Sequence, residues 1–273
     1  VRRIKRVADD DAVRAVVLRI DSPGGSALTS DLLWHRLMRI RAKKALVVSV
    51  GDMAASGGYY LASTGQSIFA DNTSIVGSIG VVGGKIAIAN ALEQIGVHAE
   101  TFAAKRGDPK AASRAAYESL LMKWDDDTRA RVFEEMTSIY NLFLARVSEG
   151  RGLPVDKIAL SAEGRVFTGR EGKARGLVDE IGGLDAAVAK ARVLAKLPPD
   201  AKAEVFEDRP KFLEMLGGPE GAKAMFRAPT ALDMVREASP ELYTDLAPFV
   251  GSLMPIAHGD HVLAALPFSI VVR

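Results

Sequence analysis

Two buried-strand signatures, each running into a glycine turn, restrict the fold of this chain more than any other feature. AVVLRI (15–20) is an apolar run stopped by Asp21, Ser22, Pro23, Gly24 and Gly25, and ALVVSV (45–50) runs directly into GDMAASGG. Apolar runs of this length bounded by turn residues read as buried strands. Between them, Leu28, Leu32, Leu33, Leu37 and Ile40 recur at helical spacing in LTSDLLWHRLMRIRA. Strand, turn, helix and strand at this spacing require crossover connections, so the pattern predicts an α/β fold with a parallel sheet flanked by helices.

The rhythm continues through the first two thirds of the chain. VRRIKRVADDDA reads as the end of a helix, YYLAS as a helix starting near Ser56, QSIFAD and SIVGSIGVVGG as short strands, IAIANALEQIG as a helix and VHAETFAA as a strand. Ala112 to Gly150 is predicted to be largely helical, Pro154 to Gly164 a short helix, and Leu184 to Leu197 a closing helix. The double proline at 198 and 199 marks a boundary, dividing a domain at 1–197 from a C-terminal extension at 198–273 that ends in the strand-like LPFSIVV. The opening VRRIKRVADDD lacks both a methionine and an apolar leader, so the chain is expected to be a fragment or processed product.

Composition excludes several functions. The 36 basic and 34 acidic residues are interleaved and nearly cancel, leaving no basic stripe for nucleic acid. Cysteine is absent, which removes disulfides, thiolate metal sites and cysteine nucleophiles. No apolar stretch reaches the ~18 to 20 residues that span a bilayer. The acidic runs Asp9 to Asp11 and Asp125 to Asp127 read as helix caps or solvated faces. HGDH (258–261) lacks a fourth convergent ligand, so no metal and no cofactor is expected.

The chemistry is expected at the two glycine turns, SPGGS (22–26) and AASGGYY (54–60), which stand at the C-terminal ends of successive strands. Ligands and reacting groups of open α/β sheets collect at that edge. A serine at a strand-to-helix bend presents its hydroxyl there, and small neighbours let a substrate backbone approach. Ser56 is therefore the candidate nucleophile, with Gly57 as one oxyanion donor and Gly24 or Gly25 as the other. Two tight structural turns would read the same way. A serine also needs a base. His35, His98, His258 and His261 match no histidine-based triad, which leaves lysine, with Lys85, Lys105 and Lys110 as candidates. Tyr59, Tyr60, Leu61, Ile75, Val76, Val81 and Val82 suit either a substrate groove or the core.

SPGGS, GDMAASGGYYLAS, NTSIVGSIGV and GRVFTGREGKARGLVDEIGGLDAAV, in this order, resemble the signal peptide peptidase A (protease IV) family, peptidase family S49. The resemblance covers about Val1 to Leu197. It implies a Clp protease/crotonase-like fold of β-β-α repeats and a Ser/Lys-dyad endopeptidase that degrades residual signal peptides. It also implies a homo-oligomer, such as a tetramer, at the bacterial inner membrane, with the catalytic part outside the cytoplasm and the membrane reached through a segment absent here. Ser56 falls on the nucleophile, Gly57, Gly24 and Gly25 on the oxyanion hole, and Ser78 on a serine that supports the lysine. Where short members carry the lysine, this chain has FAAKRGDPKAAS, with Lys105 and Lys110 on either side of Asp108. Long members are two tandem repeats in which the N-terminal repeat donates the lysine, and the tail here resembles their closing extension. The chain is accordingly expected to be the C-terminal half of a long member, starting without its first strand. Two other functions stay open on the residues alone: a non-catalytic half that oligomerises or holds peptide, and a crotonase-like acyl-CoA enzyme, which needs no serine at position 56.

Overall fold

The structure, a computed structural model, describes residues 2–85, 87–94, 96, 98, 117, 119, 121–205 and 262–265. It opens with α1 (Arg2–Asp9), β1 (Ala15–Ser22), β2 (Gly24–Ser26), α2 (Ala27–Arg41) and β3 (Ala45–Ala55). There follow α3 (Gly57–Ala62), β4 (Ser67–Ala70), β5 (Ile75–Gly77), β6 (Val82–Gly83) and α4 (Ala89–Glu93). The long α5 (Asp126–Arg151), α6 (Val155–Ala159), β7 (Val166–Thr168), α7 (Gly169–Ala174), β8 (Glu180–Ile181) and α8 (Leu184–Leu194) come next, and β9 (Val262–Ala265) lies in the tail.

Both apolar runs form strands, and they pair in parallel from Ala15 opposite Ala45 to Ile20 opposite Val50. The eleven-residue β3 is the hub of the main sheet: β4 pairs with it at Val47 to Ser49 and β5 at Met53 to Ala55, both in parallel. The sheet is mixed and not wholly parallel, because β7 joins β5 antiparallel, with Ile75 opposite Thr168. An edge strand makes ladder bonds on one side only and often runs against an otherwise parallel sheet.

Helices cover both faces, which is why ALVVSV carries no alternation. Successive side chains on a strand point to opposite faces. Val47 packs with Phe69 and with Ala187 and Ala191 of α8. Val48 and Val50 lie in the larger cluster with Trp34 of α2, Tyr59 and Tyr60 of α3, and Phe143 and Val147 of α5.

Some boundaries differ from expectation. The long helix starts at Asp126, since Asp125 caps it by accepting Thr128 N–H at 2.8 Å while Asp126 and Asp127 fill the first turn. It stops at Gly152, which takes φ 62°. The helix expected in IAIANALEQIG narrows to α4, and most of VHAETFAA lies outside the described residues. The closing helix ends at Leu194 rather than Leu197. LPFSIVV also lies outside the described residues. The tail strand that is described, β9, precedes it and runs antiparallel to both β2 and β6, forming a separate three-stranded sheet.

Candidate active site

Ser56 is the bend between β3 and α3. Its N–H donates to Gly77 O at 2.9 Å and its carbonyl accepts Tyr60 N–H at 2.8 Å, so the residue is clamped on both sides. Between these bonds it holds φ 51° and ψ −117°. A β-carbon is strained there by roughly 1–3 kcal/mol. A serine at the start of a helix ordinarily turns its hydroxyl onto the first-turn amides. Ser56 makes no such bond, and its Oγ is buried without a hydrogen-bond partner among the described residues. The fold thus holds one hydroxyl in a costly conformation and leaves it uncommitted.

The SPGGS turn meets this bend. Gly24 and Gly25 form β2 at φ 116° and 153°, and Gly24 N–H donates to Ser22 Oγ at 3.2 Å. A Cβ on Gly57 would lie 3.2 Å from Gly25 N and 3.3 Å from Gly24 Cα, and one on Gly58 would lie 2.7 Å from Ser22 O. Both glycines after Ser56 are therefore required by the close approach of the two turns. The structure brings Gly57, next to Ser56, against Gly24 and Gly25. It adds Ser30, whose hydroxyl would stand 2.6 Å from that Gly57 Cβ. Only the spacing of Ser26 and Ser30, one helical turn apart, hinted at it.

Ser78 follows the residue that receives the Ser56 N–H. It is buried at φ 49°, with its own N–H donating to Arg165 O at 2.7 Å. Tyr59, Tyr60 and Val76 are core, whereas Val82 of β6 is exposed. Tyr59 donates its hydroxyl to Leu177 O and Tyr60 to Asp31, both at 2.9 Å. Burial pushes both phenols upward, with Asp31 adding to the effect at Tyr60, so neither is a base near neutrality. Asp31 also accepts Arg146 Nε at 3.0 Å, and Arg146 contacts His35 at 2.9 Å, which commits His35 to a helix-packing network. Lys85 is held below its ordinary value by burial. It donates to Ser119 O at 3.0 Å and lies 5.6 Å from the Trp124 ring centre. Lys105, Lys110, His258 and His261 lie outside the described residues. Among the described residues no group of acidic or histidine side chains is arranged to hold a metal, and no helix is long and apolar enough to cross a membrane.

Residues 39–198 match the family model of peptidase family S49. The chain is 38% identical over 211 residues to the chloroplastic serine protease SPPA of Arabidopsis thaliana, covering 76% of this chain and 30% of that protein. It is 35% identical over 231 residues to Protease 4 of Salmonella typhi, covering 81% and 36% respectively. A putative protease of Synechocystis sp. is 31% identical over 227 residues, covering 82% of this chain and 79% of its own length. The chain spans about a third of the length of the first two relatives.

Proposed function

The chain belongs to peptidase family S49, and on that premise we propose that it is a serine endopeptidase with Ser56 as nucleophile. The observation that carries this reading is the Ser56 hydroxyl itself, buried and without a hydrogen-bond partner among the described residues, on a backbone of positive φ. Strain is kept where a reactive group must be held in place. Ser56 Oγ attacks a peptide carbonyl, and the oxyanion is held by the N–H of Gly57 together with that of Gly24 or Gly25. A lysine takes the serine proton and returns it to the leaving amine; water then resolves the acyl-enzyme. Ser78 supports that lysine. The base is Lys105, Lys110 or a lysine on polypeptide beyond this chain, as befits the C-terminal half of a tandem-repeat peptidase.

The substrate is an extended peptide, and residual signal peptides at the membrane are the proposed class. The path of β9 supports the extended mode, because it runs antiparallel to both β2 and β6 beside Gly24 and Gly25. A chain added in that way is held by main-chain bonds and selected by alternate side chains. The peptidase domain is 1–197, built from β-β-α repeats, with 198–273 as an extension, and the working form is a homo-oligomer such as a tetramer. A second reading is a peptide-holding half without its own base, in keeping with a Ser56 Oγ that has no hydrogen-bond partner among the described residues.

Covalent labelling with a serine-reactive phosphonate, the site located by mass spectrometry and Ser56→Ala as control, tests the proposal. Labelling at Ser56 is expected if the base lies in this chain. If a folded sample stays unlabelled, adding an N-terminal repeat of a long family member must restore labelling, and failure of both overturns the nucleophile assignment.

A further inference from the structure

Ser30, in the first turn of α2, is buried beside the candidate site. Its hydroxyl donates to Ser26 O at 2.9 Å, the last carbonyl of the strand that carries Gly24 and Gly25. The same oxygen packs on Gly57, 2.6 Å from where a Cβ would stand. One hydroxyl therefore ties down the end of one glycine turn and touches the other.

The bond alone is an ordinary serine back-bond to the preceding helical turn. It recurs at Thr137 and Ser138 of α5, at 2.8 and 2.9 Å, on exposed helix surface. The contact with Gly57 sets Ser30 apart. Gly25 N would lie 3.2 Å from a Cβ on Gly57, whereas a Cβ on Gly25 itself would meet nothing within 4 Å among the described residues. Two donors serve one oxyanion only when both stand about 2.7–3.1 Å from a single point, so the gap between the turns must be set by something rigid.

We infer that Ser30 is a positioning residue that sets the separation of the Gly25 and Gly57 amides. The inference rests on the reading of those amides as the oxyanion hole, and its test separates the two. The rate constant of inactivation by the phosphonate and its dissociation constant are measured for the wild type, Ser30→Ala, Ser30→Thr and Ser138→Ala. Ser30→Ala is expected to lower the inactivation rate constant about tenfold, less than the loss of a whole donor, with affinity and the labelled residue unchanged. Ser30→Thr, which keeps the hydroxyl, restores most of the rate, and Ser138→Ala matches the wild type. An unchanged rate in Ser30→Ala overturns the inference.

A wild type that does not label bears on the nucleophile and not on Ser30. Amide exchange then decides: Gly25 and Gly57 are expected to exchange about tenfold faster in Ser30→Ala while the β3 amides keep their protection. Equal rates, or a loss of protection shared by β3, overturn the positioning role.

Discussion

Ser56 N–H donates to Gly77 O at 2.9 Å, and both residues hold positive φ, 51° and 101°. The strained serine is thus held by a residue that is strained for anything but glycine. A Cβ on Gly77 would lie 3.1 Å from Arg165 O and 3.2 Å from the Phe167 ring. Gly77→Ala should cost about 1–3 kcal/mol and slow phosphonate labelling of Ser56 even where the protein is fully folded. Gly152→Ala, at φ 62° in open space at the end of α5, should lose stability without slowing labelling. Urea midpoints and labelling rates for the two variants separate strain from site geometry, and equal labelling would show that Gly77 O does not govern the bend.

Arg151 closes α5 onto the sheet. It donates to Asp179 Oδ2 and Oδ1 at 2.9 and 2.6 Å and twice to Gly176 O, while Asp179 also accepts Ile68 N–H at 2.7 Å. The arginine is 7% exposed and the aspartate 35%. Removing one partner of a buried pair leaves the other charge uncompensated, at about 3–5 kcal/mol. The partial exposure of Asp179 puts Arg151→Met near the lower end. Denaturant unfolding should report that loss with the labelled residue unchanged, because the pair lies among α5, β4 and β8 and not at Ser56.

The parts of the fold visible in the sequence are those whose signal is local. AVVLRI and ALVVSV are buried on both faces and read as strands, and Ser56 stands out because a hydroxyl among alanines and glycines has few other uses. The antiparallel direction of β7 was not readable, since three residues at a sheet edge carry no crossover signature. Nor was the pairing of β9 with β2 and β6, which joins positions far apart in the chain, more than two hundred residues apart in the case of β2. Ser30 was hidden for another reason: a serine at i+4 from a helix cap is common, and only the approach of Gly57 gives it meaning.

The capping box of α7 gives the chain an acid-sensitive element. Glu171 accepts Thr168 N–H and the Thr168 hydroxyl, both at 3.0 Å, and Thr168 Oγ1 accepts Glu171 N–H at 3.2 Å. The backbone bond first, then the hydroxyl, hold the carboxyl below its ordinary 4.5. A depressed acid contributes its stability fully above the unfolded value and loses it as pH falls through the folded one. Glu171→Gln keeps a capping side chain, so the variant isolates the charge. Urea midpoints should differ between wild type and variant at neutral pH and converge well below pH 4.5; a constant gap would mean that the charge contributes nothing.

The tail strand pairs beside the glycines proposed for the oxyanion hole. Leu263 is level with both Ser26 and Val82, and Ala264 is level with Gly25, so β9 lies where an incoming peptide would pair beside the proposed oxyanion glycines. Proline supplies no N–H to a ladder, and prolines at adjacent positions break it in either pairing phase. The double variant L263P/A264P should therefore free β2 and β6. If β9 only fills the slot, a peptidyl phosphonate should bind several-fold tighter with its inactivation rate constant unchanged, because the competing strand has gone. If β9 instead holds Gly24 and Gly25 at their positive φ, the inactivation rate constant should fall while affinity changes little. Measuring the two constants separately on the full chain decides whether the tail competes with substrate or completes the site.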